Sequence, residues 1–351
     1  MIKRTIQQLL KDIKRGWKIY MFPPKETKIF FNPKAVEILS EKIATAKTGA
    51  EPKQAAVDVQ IQRAYVACMK AQVLQEFSFA DNRLEFVRQW RFPEQCVEVE
   101  FSNKLCYLTT TNFRRVGQKS HLRIFDPIKG EEISSLDTRG EWSKVIKIDE
   151  IRGVAYISNW HSHDLSTIDV KDPKNSKVIQ VLACGESPRG LALRPDGVAI
   201  ATSFYGRKIF SVEKIDGEYK ITKESPRFDQ GAYGGNMRDV IITADGNIVW
   251  VSNLGRNMLH WYDAYTLKLL GSILVPRQPN SIRFLDETEQ TILVSCRKDN
   301  VVCFIDAKEK RPIGVSQKTG KFPTGLAVVK DGFLVTSFDS NTIELHSLIG
   351  P

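Results

Sequence analysis

Six arginines recur at comparable places in a repeating phrase, either in turns or just ahead of hydrophobic runs: Arg114, Arg189, Arg207, Arg238, Arg256 and Arg297. A guanidinium is a planar fork of donors that fits phosphate, sulfate or carboxylate, and several around one concavity reinforce each other's field. Trp160 and Tyr205 stand in the same turns and would set apolar faces beside those forks. The chemistry expected is recognition of an anion: an acidic or phosphorylated small molecule, an acidic glycan or an acidic protein surface. The alternative is that each arginine pairs locally with Glu94, Glu141, Glu186, Asp229 or Asp239 as an ordinary rim ion pair.

Catalytic groups are sparser. His161 and His163 could serve a hydrolase as general base, with Arg189 or Arg238 stabilising an oxyanion. The pair alone lacks a third and fourth metal partner. Glu94, Glu141 and Glu186 fall at equivalent loop positions, where they could gather oxygen ligands around a hard cation. The sequence holds no GxSxG, HExxH, GxxxxGK[ST] or post-strand GxGxxG, so no cofactor is implied and catalysis ranks behind binding.

The elements that must position these residues are short strands. From residue 142 onward one phrase repeats: a hydrophobic run ending in an acid and a glycine, a second run ending in Ser, a polar turn, and a third run closing on Ile-Asp or Tyr-Asp. SPRGLALRPDGVAIATSFYGRKIFSVEKI and NMRDVIITADGNIVWVSNLGRNMLHWYDA are clear copies. A period of about 40–50 residues made of strands signals propeller blades. Innermost strands are expected at 55–61, 96–101, 143–149, 190–195, 239–244, 280–285 and 324–330, which makes an all-β, seven-bladed β-propeller over 54–351. On that layout the turns between second and third strands, and the loops leading into first strands, share one face and surround the channel mouth. The Asp-Gly pairs Asp196-Gly197, Asp245-Gly246 and Asp331-Gly332 suit tight hairpins, and Asp169, Asp263 and Asp306 read as turn formers.

Residues 1–50 read differently. Ile2, Ile6, Leu9, Leu10, Ile13 and Trp17 share one helical face. Residues 1–34 hold nine bases against two acids, a surplus of seven out of a net charge of +10. Such a basic helix over residues 2–20 would pack on the propeller wall, meet an anionic membrane or dock on an acidic protein. A second helix is expected over Pro33 to Ala46. The last blade has three strands of its own, so a fourth must come from elsewhere, and Lys28 to Phe31 is the candidate closing strand. With so little charge left over for the propeller, nucleic acid is an unlikely partner. The six scattered cysteines and the lack of a signal-like h-region point to a cytoplasmic protein, with contact to the inner face of the membrane through the arm as an option.

The segment 153–197 resembles the YVTN-type β-propeller repeat. The matching residues are Tyr156, Ile157, Ser158, Asn159, Ile168, Asp169, Gly185, Pro188, Gly190, Leu191, Ala192, Asp196 and Gly197. Related copies cover roughly residues 95–351. The resemblance implies the propeller fold. Its members include surface-layer-type repeats, binding modules and lactonase-like enzymes, so it implies binding or hydrolysis without choosing between them.

Overall fold

The computed structural model describes residue 31 and residues 36–113, 117–228 and 236–349. Over these residues the chain is all-β, with two one-turn 3-10 segments, Ala80–Asn82 and Pro173–Asn175, and no α-helix among them. Five four-stranded antiparallel sheets follow in chain order, with first strands Pro52–Asp58, Gln95–Ser102, Ser143–Asp149, Pro188–Leu193 and Met237–Ile242. The four strands from Pro279–Phe284 to Arg311–Ser316 and the three from Pro323–Val329 to Thr342–Leu348 join in one eight-stranded sheet. The first strands touch in a closed cycle, the one at Pro323–Val329 returning to the one at Pro52–Asp58. The fold is β-propeller-like.

The bridge inside the eight-stranded sheet is Glu37–Lys47. It runs antiparallel to Thr342–Leu348, from Ser40 opposite Leu348 to Lys47 opposite Thr342, and parallel to Arg311–Ser316, with Glu37 opposite Gly314. This corrects the helix expected over Pro33 to Ala46. An open sheet edge offers a row of unpaired backbone groups, and satisfying it outweighs a helical propensity worth tenths of a kcal/mol per residue. Gly314 allows the close approach, because a Cβ there would lie 2.4 Å from Leu39 Cγ and 2.9 Å from the Glu37 carbonyl. The helix expected at 2–20 and residues 28–30 of the expected closing strand lie outside the described residues.

The core lies in the seams between sheets. One cluster joins Val145, Tyr156 and Leu165 to Leu191, Ala199 and Phe210 of the next sheet, and another joins Ala55, Val66 and Phe77 to Leu334, Ile343 and Leu345 across the closure. Each fully buried residue of this size contributes about 1.5–3 kcal/mol, so the seams hold the ring.

Each first strand carries a register shift just after its start. Pro188 pairs with Ser203, yet Leu191 pairs with Ala201, and the same extra residue recurs from Pro52 to Pro323. A bulge drops an amide from the ladder and re-aims the side chain beside it. A hydroxyl of the second strand recovers the lost bond. Gly190 N–H donates to Thr202 Oγ1 (2.7 Å), Asp239 N–H to Ser252 (3.0 Å) and Gly325 N–H to Thr336 (2.9 Å). The hydroxyl then donates onward to the next sheet. Ser158 reaches the Arg189 carbonyl (2.9 Å), Thr202 that of Arg238 (3.3 Å), Ser252 that of Asn280 (2.7 Å) and Thr109 that of Lys144 (2.8 Å). Ser295 and Thr336 approach the carbonyls of Thr324 (3.4 Å) and Lys53 (3.5 Å) in the same way. The recurrent Ser or Thr of the repeat is thus a clip between sheets. Ala67 holds the equivalent place in the first sheet, without a hydroxyl to reach Cys96.

Candidate functional site

All but one of the sheets are clipped at one register position, the second residue of each first strand: Lys53, Cys96 (the unclipped one), Lys144, Arg189, Arg238, Asn280 and Thr324. Because the first strands form a cycle, these residues stand around one channel mouth. The residue just ahead of the strand itself often takes a left-handed backbone, as at Glu51 (φ 59°), Trp142 (φ 55°), Ser187 (φ 52°) and Phe322 (φ 63°). For a bulky residue such as Trp142 this stores about 1–2 kcal/mol of strain, and it turns the chain sharply into the bulge.

Four of the seven positions are cationic, and three of those side chains have no carboxylate. Among the described residues no carboxylate oxygen lies within 4.0 Å of Lys53, Lys144 or Arg189. Arg189 is only 6 % exposed, and its Nε and Nη1 are buried without a hydrogen-bond partner. Leaving such donors unmet costs about 1–3 kcal/mol each. Burial, opposed by Glu98 and Asp239, lowers the Arg189 pKa, yet a guanidinium stays charged. Arg238 and Arg297 are also buried. Both, with Arg189, act on the Lys53 ammonium, whose pKa falls well below the usual lysine range through burial first and these charges next.

Lys144 is half-buried and walled by rings. Its Nζ lies 4.3 Å from the Phe113 ring centroid, 4.6 Å from that of Trp160 and 5.9 Å from that of Trp142. The rings favour an ammonium by about 0.5–2 kcal/mol, whereas taking the ion out of water costs several kcal/mol. Burial wins, and Lys53, Arg189 and Arg238 add to it, so the Lys144 pKa is pulled well down; Glu98 alone pulls the other way.

The side chains expected from sequence fall into two groups. Arg189, Arg238 and Arg297 sit close enough together to share a field with Lys53. Trp160 stacks near Phe204 (4.8 Å) and Tyr205 (5.7 Å), which places both expected aromatics beside the mouth. Arg207 takes a left-handed turn conformation (φ 59°), and Arg256 N–H donates to the Asn253 side chain; neither bears on the two lysines. Arg114 lies outside the described residues. The glutamates are not brought together. Glu94 pairs with Arg123 (2.6 Å), Glu141 with His161 (2.7 Å) and Glu186 with Arg227 (3.6 Å), and the described residues hold no cluster of three metal-ligating side chains. The two histidines part as well: Glu141 grips His161 Nδ1, a bond that holds the Glu141 carboxyl below the usual carboxylate range, while His163 Nδ1 accepts from Ser187 N–H (2.9 Å).

Sequence reasoning missed Lys53 and Lys144. For Lys53, the first innermost strand was expected at 55–61 and stands at Pro52–Asp58, because the bulge interrupts the period-2 pattern and hides the residues before it; Lys144 falls inside the strand expected at 143–149, where nothing in the sequence sets it apart from Lys147. The signal lay in the motif itself, since Pro52-Lys53, Pro188-Arg189, Pro279-Asn280 and Pro323-Thr324 repeat one dipeptide frame.

All six cysteines are free and buried, and no helix of the described residues is long and apolar enough to cross a membrane.

No family model matches the chain. The fold is similar to the solved structure of a functionally unknown protein from Desulfotomaculum acetoxidans DSM 771, with a TM-score of 0.65 and 13% identity over 82% of this chain and 90% of that one. That likeness defines the class by fold alone. In sequence the chain is similar to Antigen Lp49 of Leptospira interrogans serogroup Icterohaemorrhagiae serovar copenhageni (strain Fiocruz L1-130), at 30% identity over 184 residues. The match spans 52% of this chain and 39% of the antigen's length.

Proposed function

We propose that this chain is a seven-bladed propeller of the YVTN-repeat type that binds an anion at the channel mouth. The observation that carries the reading is Arg189, a buried guanidinium with two unmet donors, standing with Lys53 and Lys144 where no carboxylate comes within ion-pair distance. Natural interiors pair their buried charges, and a site that keeps them unpaired gives up stability that a bound anion restores. The ligand class is an acidic or phosphorylated small molecule or the acidic tip of a glycan or protein. Calorimetric titration with citrate, phosphate and sulfate tests it. Binding that weakens at least tenfold in Arg189→Gln supports the reading, and affinities unchanged in Arg189→Gln and in Lys53→Met count against it.

A hydrolase is the second reading, favoured by one observation. His161 Nδ1 is held by Glu141 while its Nε2 is buried without a partner, the arrangement of an oriented base. Hydrolysis of anionic esters that disappears in His161→Ala would move the assignment to that class.

A further inference from the structure

Resting on the anion-site reading, the feature that goes beyond it is the environment of Lys144. A lysine used only to attract anions is best left hydrated and flexible. Here Nζ has Phe113, Trp160 and Trp142 around it, and no oxygen acceptor for it exists among the described residues. The Lys144 backbone is held twice, by the Thr109 clip on its carbonyl (2.8 Å) and by Ser158 Oγ on the following amide (3.1 Å). Its neighbour in the cycle of first strands carries Arg189 at the same register position, a fork with unmet donors. An amine walled by rings and crowded by cations is the environment that frees a lysine lone pair for attack on carbonyl carbon. The lowered proton affinity of Lys144 agrees with that geometry.

We infer that Lys144 forms a Schiff base with a carbonyl-bearing anion of the 2-oxo acid class, whose carboxylate is held by Arg189 and whose carbon chain lies against Trp160 and Phe113. The nitrogen lone pair attacks the keto carbon and the carbonyl π pair moves onto oxygen. Both N–H protons then leave with that oxygen as water while the C=N bond forms. Amine and carbonyl become imine and water, with no oxidant or reductant involved.

The test incubates the full chain with phenylpyruvate and sodium borohydride, followed by intact mass and peptide mapping, with calorimetry of phenylpyruvate and phenyllactate alongside. The expected result is one reduced adduct at Lys144, lost in Lys144→Arg and cut at least fivefold in Arg189→Gln. No adduct, an adduct spread over surface lysines, or one at Lys53 overturns the inference. If phenyllactate binds as tightly as phenylpyruvate and nothing is trapped, the imine is lost while the anion site stands. If neither acid binds, both readings fall.

Discussion

At the depth of Asp239 and Arg283 the channel wall pairs its charges across adjacent first strands, and at Lys53, Lys144 and Arg189 it does not. Arg283 Nη1 meets Asp239 Oδ2 at 2.9 Å, and Lys147 meets Glu100 at 2.7 Å between two other neighbours. Asp239, Glu100 and Glu98 keep the half-buried Arg283 charged, raising its pKa against the effect of burial. Two of these strands carry a cation one or three residues earlier, Arg238 before Asp239 and Lys144 before Lys147, and Lys53 and Arg189 stand at the same mouth level on other strands. The difference teaches which level serves the fold. Paired charges fix the spacing of neighbouring strands, whereas the unpaired level costs stability and is explained by a ligand.

The sharpest break of this comparison is Asp239→Asn. It leaves Arg283 without its carboxylate and should lower unfolding free energy by about 3 kcal/mol, read from the urea midpoint; a loss below 1 kcal/mol would mean that the deeper level is as dispensable as the mouth. Next, Ser158→Ala removes the clip that joins Val145 N–H to the Arg189 carbonyl, two buried hydrogen bonds worth about 1–2 kcal/mol together. Anion affinity should fall with it, because the Arg189 backbone loses its anchor. Arg189→Met should act with the opposite sign, raising the stability of the ligand-free protein by about 1 kcal/mol while binding is lost. Destabilisation in that variant would show the guanidinium to be a structural group.

The smallest effect is one of pH. Lys53 and Lys144 have folded pKa values below their unfolded ones, so between those values the unfolded chain binds more protons. Stability should therefore rise with pH through that window, up to the unfolded lysine value of about 10.4, and anion affinity should fall as the ammonium charges are lost. The Lys53→Met, Lys144→Met double variant should flatten both slopes relative to the parent, and parallel slopes would refute the shifts.

The opposite ends of the sheets show why much of this was legible. Asp126, Asp263 and Asp306 spend their carboxylates on the amides two and three residues on, as at Tyr265 and Thr266, so a turn-forming aspartate looks the same in sequence and in structure. Local hydrogen bonding of that kind leaves a mark at fixed spacing, which is also why the repeat and its Arg189 and Arg238 positions were readable. Lys53 was not, because a bulge is a relation between two strands, and Lys144 was not, because the rings that wall it, Phe113 and Trp160, are distant from it in sequence. The strand at Glu37–Lys47 was misread for a similar reason: its helical look is local, and its role depends on an edge some 300 residues away.

That strand also sets how the ring answers to force. Ser40 lies opposite Leu348, so the chain enters and leaves the closure at the same corner of one antiparallel ladder. A load that draws Ser40 and Leu348 apart would peel that ladder one rung at a time, like a zip. Heat or denaturant has no such lever and must disrupt the seam packing of Ile343 and Leu345 together with the ladder. Tension drawn between Ser40 and Leu348 should therefore open the closure at a load that leaves the seam packing in place.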